Sequence, residues 1–137
     1  IVRDLRPTAL DQLGLTGAVA AFSRRFAGDL DIQLSLPSAP APLPAAAEVA
    51  AYRIVTGALT NVVRHAHAER CWVRIVTDDP VEIDVIDDGI GIDHRRPDGV
   101  GLTAMRERAA ELGGAVEVIS GPRLGTHLLV RLPAALP

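Results

Sequence analysis

An apolar run, Val85-Ile86, leads into Asp87-Asp88-Gly89-Ile90-Gly91, and after a polar gap comes Gly99-Val100-Gly101-Leu102. An acid-x-Gly-x-Gly stretch at a strand end brings a carboxylate and bare backbone to one spot. An ionised carboxylate only accepts hydrogen bonds, so it can hold an amino group. Glycines leave room for a ligand to approach the main chain closely. The second Gly-x-Gly pair precedes a helical pattern, Leu102 to Leu112, whose free N–H groups can face an anion. An amine held at one end and an anion at the other are the needs of a nucleotide.

Other residue types narrow the chemistry. The chain has no lysine; all fourteen of its Lys+Arg residues are arginine. That excludes a P-loop, a kinase of the Ser/Thr/Tyr type with its strand lysine, and a pyridoxal enzyme with its Schiff-base lysine. The net charge of −3 and pI near 5.8 give no electrostatic case for a nucleic-acid partner. His65, His67, Glu69 and Cys71 look like a transition-metal cluster, yet they straddle a predicted helix end and strand start and should diverge. Cys71 is the single cysteine, so no disulfide framework exists and a reduced, cytoplasmic setting fits. No apolar run approaches the roughly 18 residues a bilayer span needs, and Ile1 in place of Met suggests an excised fragment.

The elements that must position these groups are legible from periodicity. With 137 residues, 48% of them hydrophobic, the chain can build one domain with its own core. Leu5-Arg6-Pro7 and Asp11-Gln12-Leu13-Gly14 predict a helix ending, a turn and a restart. Helical spacing follows over 15–27, then a strand over 31–36 and a Pro/Ala-rich loop over 38–44. The longest element is a helix over 45–66, with Pro44 suited to its first turn. Ala51, Val55, Ala58, Leu59 and Val62 form its core stripe; Arg53, Gly57, Asn61 and His65, with Arg64 beside them, follow another face. That second face suits either a ligand or solvent. Strands are predicted over 71–77 and 81–86, an irregular loop over 92–98, a helix over 102–112 stopped by Gly113-Gly114, and a closing strand pair over 115–119 and 126–132. The expected fold is an α/β (α+β) two-layer sandwich, its mixed, mostly antiparallel sheet covered on one face by about three helices.

Gly99-Val100-Gly101-Leu102-Thr103-Ala104 also fits the dinucleotide fingerprint, but the preceding 92–98 stretch is too polar, with Pro97, to be the required strand. Gly89-Ile90-Gly91 does follow a strand, but His94 takes the third glycine position.

The boxes together resemble the catalytic, ATP-binding domain of bacterial two-component sensor histidine kinases, in the nitrate- and desaturase-sensor subfamily. Tyr52-Arg53-Ile54-Val55 through Ala58-Leu59-Thr60-Asn61-Val62-Val63-Arg64-His65-Ala66 resembles the N box of that family. Asp87 to Gly91 resembles the first glycine box, and Gly99 to Leu102 with Met105-Arg106-Glu107-Arg108 the second. Gly125-Thr126 resembles the last box. Leu5-Arg6-Pro7 with Leu10 and Leu13-Gly14-Leu15 resembles the join from the dimerisation helices, which divides the chain into 1–13 and a catalytic domain over 14–137. The resemblance runs through essentially the whole chain, and its weight lies in four boxes in order.

The resemblance implies ATP and Mg2+ as cofactors and the Bergerat ATP-binding fold. It implies that Asp87 receives the adenine amine, where guanine would oppose acceptor to acceptor; a bare turn cap is the structural alternative. Asp88 supports the turn or faces solvent. Gly89 and Gly91 would admit base and ribose, and Gly99, Val100, Gly101 and Leu102 would border the phosphates. Asn61 would bind Mg2+ through its carbonyl oxygen. Arg64 and His65 would meet phosphates or ribose, and the Thr126 hydroxyl would support Asp87. Residues 92–98 resemble the ATP lid, where Arg95 and Arg96 either reach phosphates or stay solvated.

Gly57 departs from the pattern: the family usually carries an acid there, one turn before Asn61, for the transfer step or the metal's waters. A natural loss and an introduced substitution both explain it. The resemblance implies γ-phosphoryl transfer to a histidine on a dimerisation domain, then to an aspartate of a response regulator. None of His65, His67, His94 and His127 stands where that acceptor belongs, so the chain alone is expected to be a monomer in a homodimeric parent. The domain would be cytoplasmic, with any sensor or membrane anchor upstream. Two rivals stand beside this reading: a nucleotide-binding pseudokinase that regulates a partner, and an anti-sigma-factor-type serine kinase.

Overall fold

The apolar stripe of the long central helix organises the structure. In a computed structural model, which describes residues 6–39, 41–91, 100–120 and 125–134, helix α2 spans Ala45–Asn61 and buries Ala51, Ile54, Val55, Ala58 and Leu59. Ile54, Val55 and Leu59 are fully inaccessible, and burial of each contributes on the order of 2 kcal/mol. Pro44 stands just ahead of the first turn, where its missing N–H is harmless.

Helix α1, Thr8–Ser23, and helix α3, Val100–Glu111, pack on either side of α2. Inside α1, Gly14 has φ +69° and ψ 177°, so the predicted ending and restart is a kink between two helical pieces. Leu10 lies before that kink and is already in the core, and Arg6 pairs with Asp11 and with Glu48 of α2.

The strands are β1 (Asp31–Ser35), β2 (Arg70–Val76), β3 (Val81–Asp87), β4 (Ala115–Ser120) and β5 (Thr126–Leu132). They form one sheet in the order β1-β2-β3-β5-β4, with β1 parallel to β2 and every other pair antiparallel. Alternation assigns the two faces. Val81, Ile83, Val85 and Asp87 of β3 point under the helices, while Glu82, Asp84 and Ile86 face outward. The open face is laced by Arg74 and His127 to Asp84, at 3.0 and 2.7 Å. The expected α/β sandwich with three helices on one face is therefore the observed one. Helix α3 stops as expected at Gly113, where φ is +76° and Gly114 N–H donates to Ala109 O.

One predicted element differs in kind. The helix expected to run to Ala66 is α-helical only to Asn61 and continues as a π-helical turn, Val62–Ala66, ending at His67 in the left-handed region. Periodicity cannot distinguish these windings over five residues.

Candidate functional site

Four strands end together at one corner of the sheet. The register aligns Cys71, Asp87, Thr126 and Ser120 across β2, β3, β5 and β4. Asp87 is only 5% exposed, and its Oδ1 accepts the Gly89 N–H at 2.8 Å. The backbone N–H of Thr126 also hydrogen-bonds this carboxylate. Burial nonetheless pushes the Asp87 pKa up, outweighing the two backbone donors, with the Asp88 charge adding to the rise. The Gly89 bond is itself an i to i+2 turn cap, so the structural alternative is present, and the buried carboxylate with raised pKa leaves room for a second role in holding a donor.

Asp88 ties down the start of β2. Its Oδ1 accepts the N–H groups of Arg70 and Glu69, at 3.0 and 2.9 Å, and these bonds hold its pKa low. Next to it, Cys71 is fully buried; desolvation, with the charges of Asp87 and Asp88, pushes its thiol up to about 12. Cys71 thus turns into the core, while His65, His67 and Glu69 are exposed, and the four do not converge.

The glycines acquire physical reasons. A Cβ at Gly89 would lie 2.1 Å from the carbonyl oxygen of Ala66, the last residue of the π turn, and Ile90 N–H donates to that same oxygen at 2.8 Å. Gly89 is therefore needed where β3 crosses the end of α2, a closer reason than access for base and ribose. Gly89→Ala should destabilise the domain by about 2–3 kcal/mol, because backbone rather than a pliable side chain must yield. Chemical denaturation measures this, and a loss below about 0.5 kcal/mol would contradict it. At Gly125, φ is +69° and a Cβ would stand 2.0 Å from Asp87 O, so the last box presses main chain against the end of β3.

On α2, Arg53, Gly57 and Asn61 keep their four-residue step, but the π turn breaks it afterwards. Arg64 and His65 are exposed there instead of continuing the line. Such turns are frequent at functional sites. At Gly57, a Cβ would come 3.2 Å from the terminal methyl of buried Met105 on α3, so this is where the two helices cross. Val100 and Gly101 lie in the first turn of α3, and Leu102 packs against the core. Gly91, at φ +82°, precedes the segment 92–99; Gly99 and the lid arginines Arg95 and Arg96 lie outside the described residues.

The structure thus brings Asp87, Gly89 and Thr126 together at the sheet corner, against the end of α2. The Thr126 hydroxyl is 3.2 Å from Ser120 Oγ, while its backbone N–H serves Asp87. Ser120 is the residue that sequence reasoning missed. It lies one residue beyond the strand predicted over 115–119 and becomes visible as a partner of Thr126 once the hairpin register is known.

A family model described as histidine kinase-, DNA gyrase B-, and HSP90-like ATPase matches residues 46–136. The chain is 33% identical to the sensor histidine kinase LiaS of Bacillus subtilis, over 94% of this chain and 37% of that protein. It is 34% identical to the sensor histidine kinase NarS of Mycobacterium tuberculosis, over 95% of this chain and 32% of that protein. The chain therefore spans only about a third of the length of these curated relatives. Among solved structures it resembles the ATP-binding domain of PrrB from Mycobacterium tuberculosis, with a TM-score of 0.65 and 25% identity over 91% of this chain and 95% of that one. With the boxes in order and the sheet corner built around Asp87, the chain belongs to the histidine kinase-, DNA gyrase B- and HSP90-like ATPases, as an ATP-binding domain of the sensor histidine kinase kind.

Proposed function

We propose that this domain holds Mg-ATP for transfer of its γ-phosphoryl group to a histidine on a dimerisation domain of the parent protein, and onward to a response regulator. The observation that carries the reading is the Asp87 carboxylate, buried, raised in pKa and fixed by backbone donors at the sheet corner. Asp87 accepts the adenine amine, and the same acceptor rejects the guanine carbonyl. The corner closes over the base with Gly89 and Gly91 on one side and Thr126 on the other. The first turn of α3, with Gly101, offers N–H groups to the phosphates.

The donor set suits magnesium rather than a softer metal. Asn61 offers a hard amide oxygen at the end of α2, and Gly57, one turn earlier, offers none. Mg2+ keeps several waters and takes most other oxygens from phosphates, so a single protein ligand is a workable set. When bound, the ion supplies charge neutralisation between phosphate oxygens. Asn61 then orients the phosphate tail, and Arg64 and His65, exposed on the π turn just beyond it, are the side chains proposed to meet phosphate or ribose.

The buried Leu10 and the Arg6 pairs support a join in which residues 6–13 rest on the domain while the preceding segment leads to the dimerisation helices. No helix among the described residues is long and apolar enough to cross a membrane. We place the domain on the cytoplasmic side of a homodimeric parent, with any anchor in other segments of that protein.

Calorimetric titration with ATP and magnesium tests the core of this reading. The isolated chain should bind ATP at micromolar to millimolar concentration as a monomer, GTP far more weakly, and form no phosphohistidine. Absence of ATP binding at several millimolar, or a stable phosphohistidine on this chain, would overturn it.

A further inference from the structure

We propose that Asp88 is a positioning residue for the phosphate end of the nucleotide, fixing the π turn that carries Arg64 and His65 against the segment that holds Asp87. Asp88 has this role only within the nucleotide reading above, to which it adds a residue acting through main chain.

The connection from the π turn to β2, residues 66–70, is pinned at both ends by three consecutive residues, Asp88, Gly89 and Ile90. At its start, Ala66 O accepts the Ile90 N–H at 2.8 Å. At its finish, Asp88 Oδ1 accepts the N–H groups of Glu69 and Arg70, at 2.9 and 3.0 Å, while Arg70 O accepts the Asp88 N–H at 3.3 Å. Gly89, between the two clasps, sits so close that a Cβ would lie 2.1 Å from Ala66 O. Within the pinned stretch, His67 adopts φ 51° and ψ 37°. That left-handed conformation is uncommon for a residue with a Cβ and persists where the surroundings over-determine it.

Of these hydrogen bonds, the two to Asp88 Oδ1 are made by a side chain; the others are main chain and do not depend on residue type. The parts of the site rely on them differently. The Asp87 carboxylate is oriented by the N–H groups of Gly89 and Thr126, on a strand paired along both edges. Asn61 closes a helix in which Leu59 is fully buried, and Val62 is buried just beyond it. Arg64 and His65 are exposed on the turn, and around them Val63 and Ala66 are only partly buried. Their placement follows from how the chain leaves the turn for β2. Releasing the Glu69 and Arg70 amides loosens that exit and leaves the base pocket and Asn61 in place.

Asp88→Ala and Asp88→Asn both remove the charge, but asparagine keeps an amide oxygen for the Glu69 and Arg70 N–H groups. Comparing the two isolates the hydrogen bonds from the repulsion between a carboxylate and phosphates. With magnesium present, ATP affinity in Asp88→Ala should fall about tenfold below that in Asp88→Asn, read by calorimetry. Adenosine, which has base and ribose without phosphates, should bind the two variants within about threefold, read by NMR titration. In a background carrying Arg64→Ala and His65→Ala, the ATP difference between the two variants should shrink to within about threefold as well, since it runs through those side chains. Asp88→Val, which also lacks the acceptor, takes the place of the alanine variant if that melts below the assay temperature. Equal losses for ATP and adenosine, equal ATP affinity with alanine and asparagine, or failure of both acceptor-free variants to fold would make Asp88 merely structural. Each of these overturns the inference while leaving the ATP reading intact. Failure of the unaltered domain to bind ATP removes both.

Discussion

Asp87→Asn should cut ATP affinity by about 100-fold or more while leaving the melting temperature at pH 7 no lower than that of the unaltered domain. The two halves of this result have one cause. The carboxylate is buried, and desolvation raises its pKa despite the N–H groups of Gly89 and Thr126. An acid whose folded pKa exceeds its unfolded value favours the fold below the unfolded pKa. That contribution is lost as pH rises through the folded pKa, and at neutral pH the ionised group is a standing cost. Asparagine keeps an oxygen for Gly89 N–H and removes the charge, so the empty domain gains. The ligand loses, because the amide nitrogen sets a donor against the adenine amine or the carbonyl only partly replaces a carboxylate. Asp88 has the opposite sign: its pKa is lowered by the Arg70 and Glu69 amides, so its contribution is present above the ordinary carboxylate range and is lost in acid. Thermal melts at pH 7 and calorimetry on Asp87→Asn decide the matter; ATP affinity within threefold of the starting value would count against the assignment of the base.

Gly57→Glu, made in a parent protein that retains its dimerisation helices, should raise phosphotransfer by about 100-fold or more, the usual scale of a positioned acid or base. Nucleotide affinity should change less than threefold. The structure shows that the position is not simply vacant: a Cβ there meets the terminal methyl of Met105 at 3.2 Å. That contact is with the far end of a flexible thioether, which can shift where backbone could not. Replacing glycine inside α2 also recovers up to about 1 kcal/mol of helix propensity. Radiolabel transfer from ATP, read beside a binding titration, separates turnover from affinity. Equal transfer rates with and without the carboxylate would favour a regulatory nucleotide-binding module over an impaired kinase.

The sequence disclosed the fold because its alternation and helical stripes were strong. Strands β1 to β5 and the core face of α2 follow directly from where Val, Ile, Leu and Ala recur, and Gly14 and Gly113 mark the breaks that the chain takes. Composition could not reveal the π turn, because widening a helix by one residue leaves the pattern over 62–66 unchanged. The carrying residue of the site, Asp87, was visible as an acid at a strand end. Its partners were not. Gly89 looked like a gap for ligand and is also a crossing point with Ala66; Thr126 looked like a hydroxyl for Asp87 and serves it through main chain. Ser120 and the Gly57–Met105 crossing depend on register and helix docking, which are tertiary facts without local signature.

The crossing of β3 over the end of α2 has a mechanical corollary. Ile90 N–H on Ala66 O, Asp88 on the amides of Glu69 and Arg70, and the absence of space for even one methyl at Gly89 weld the segment after β3 to the π turn and to the start of β2. In the function proposed above, base and metal would share this one stiff wall. Helix α3, by contrast, meets α2 at Gly57 through the terminal methyl of Met105, the far end of a flexible side chain that can give.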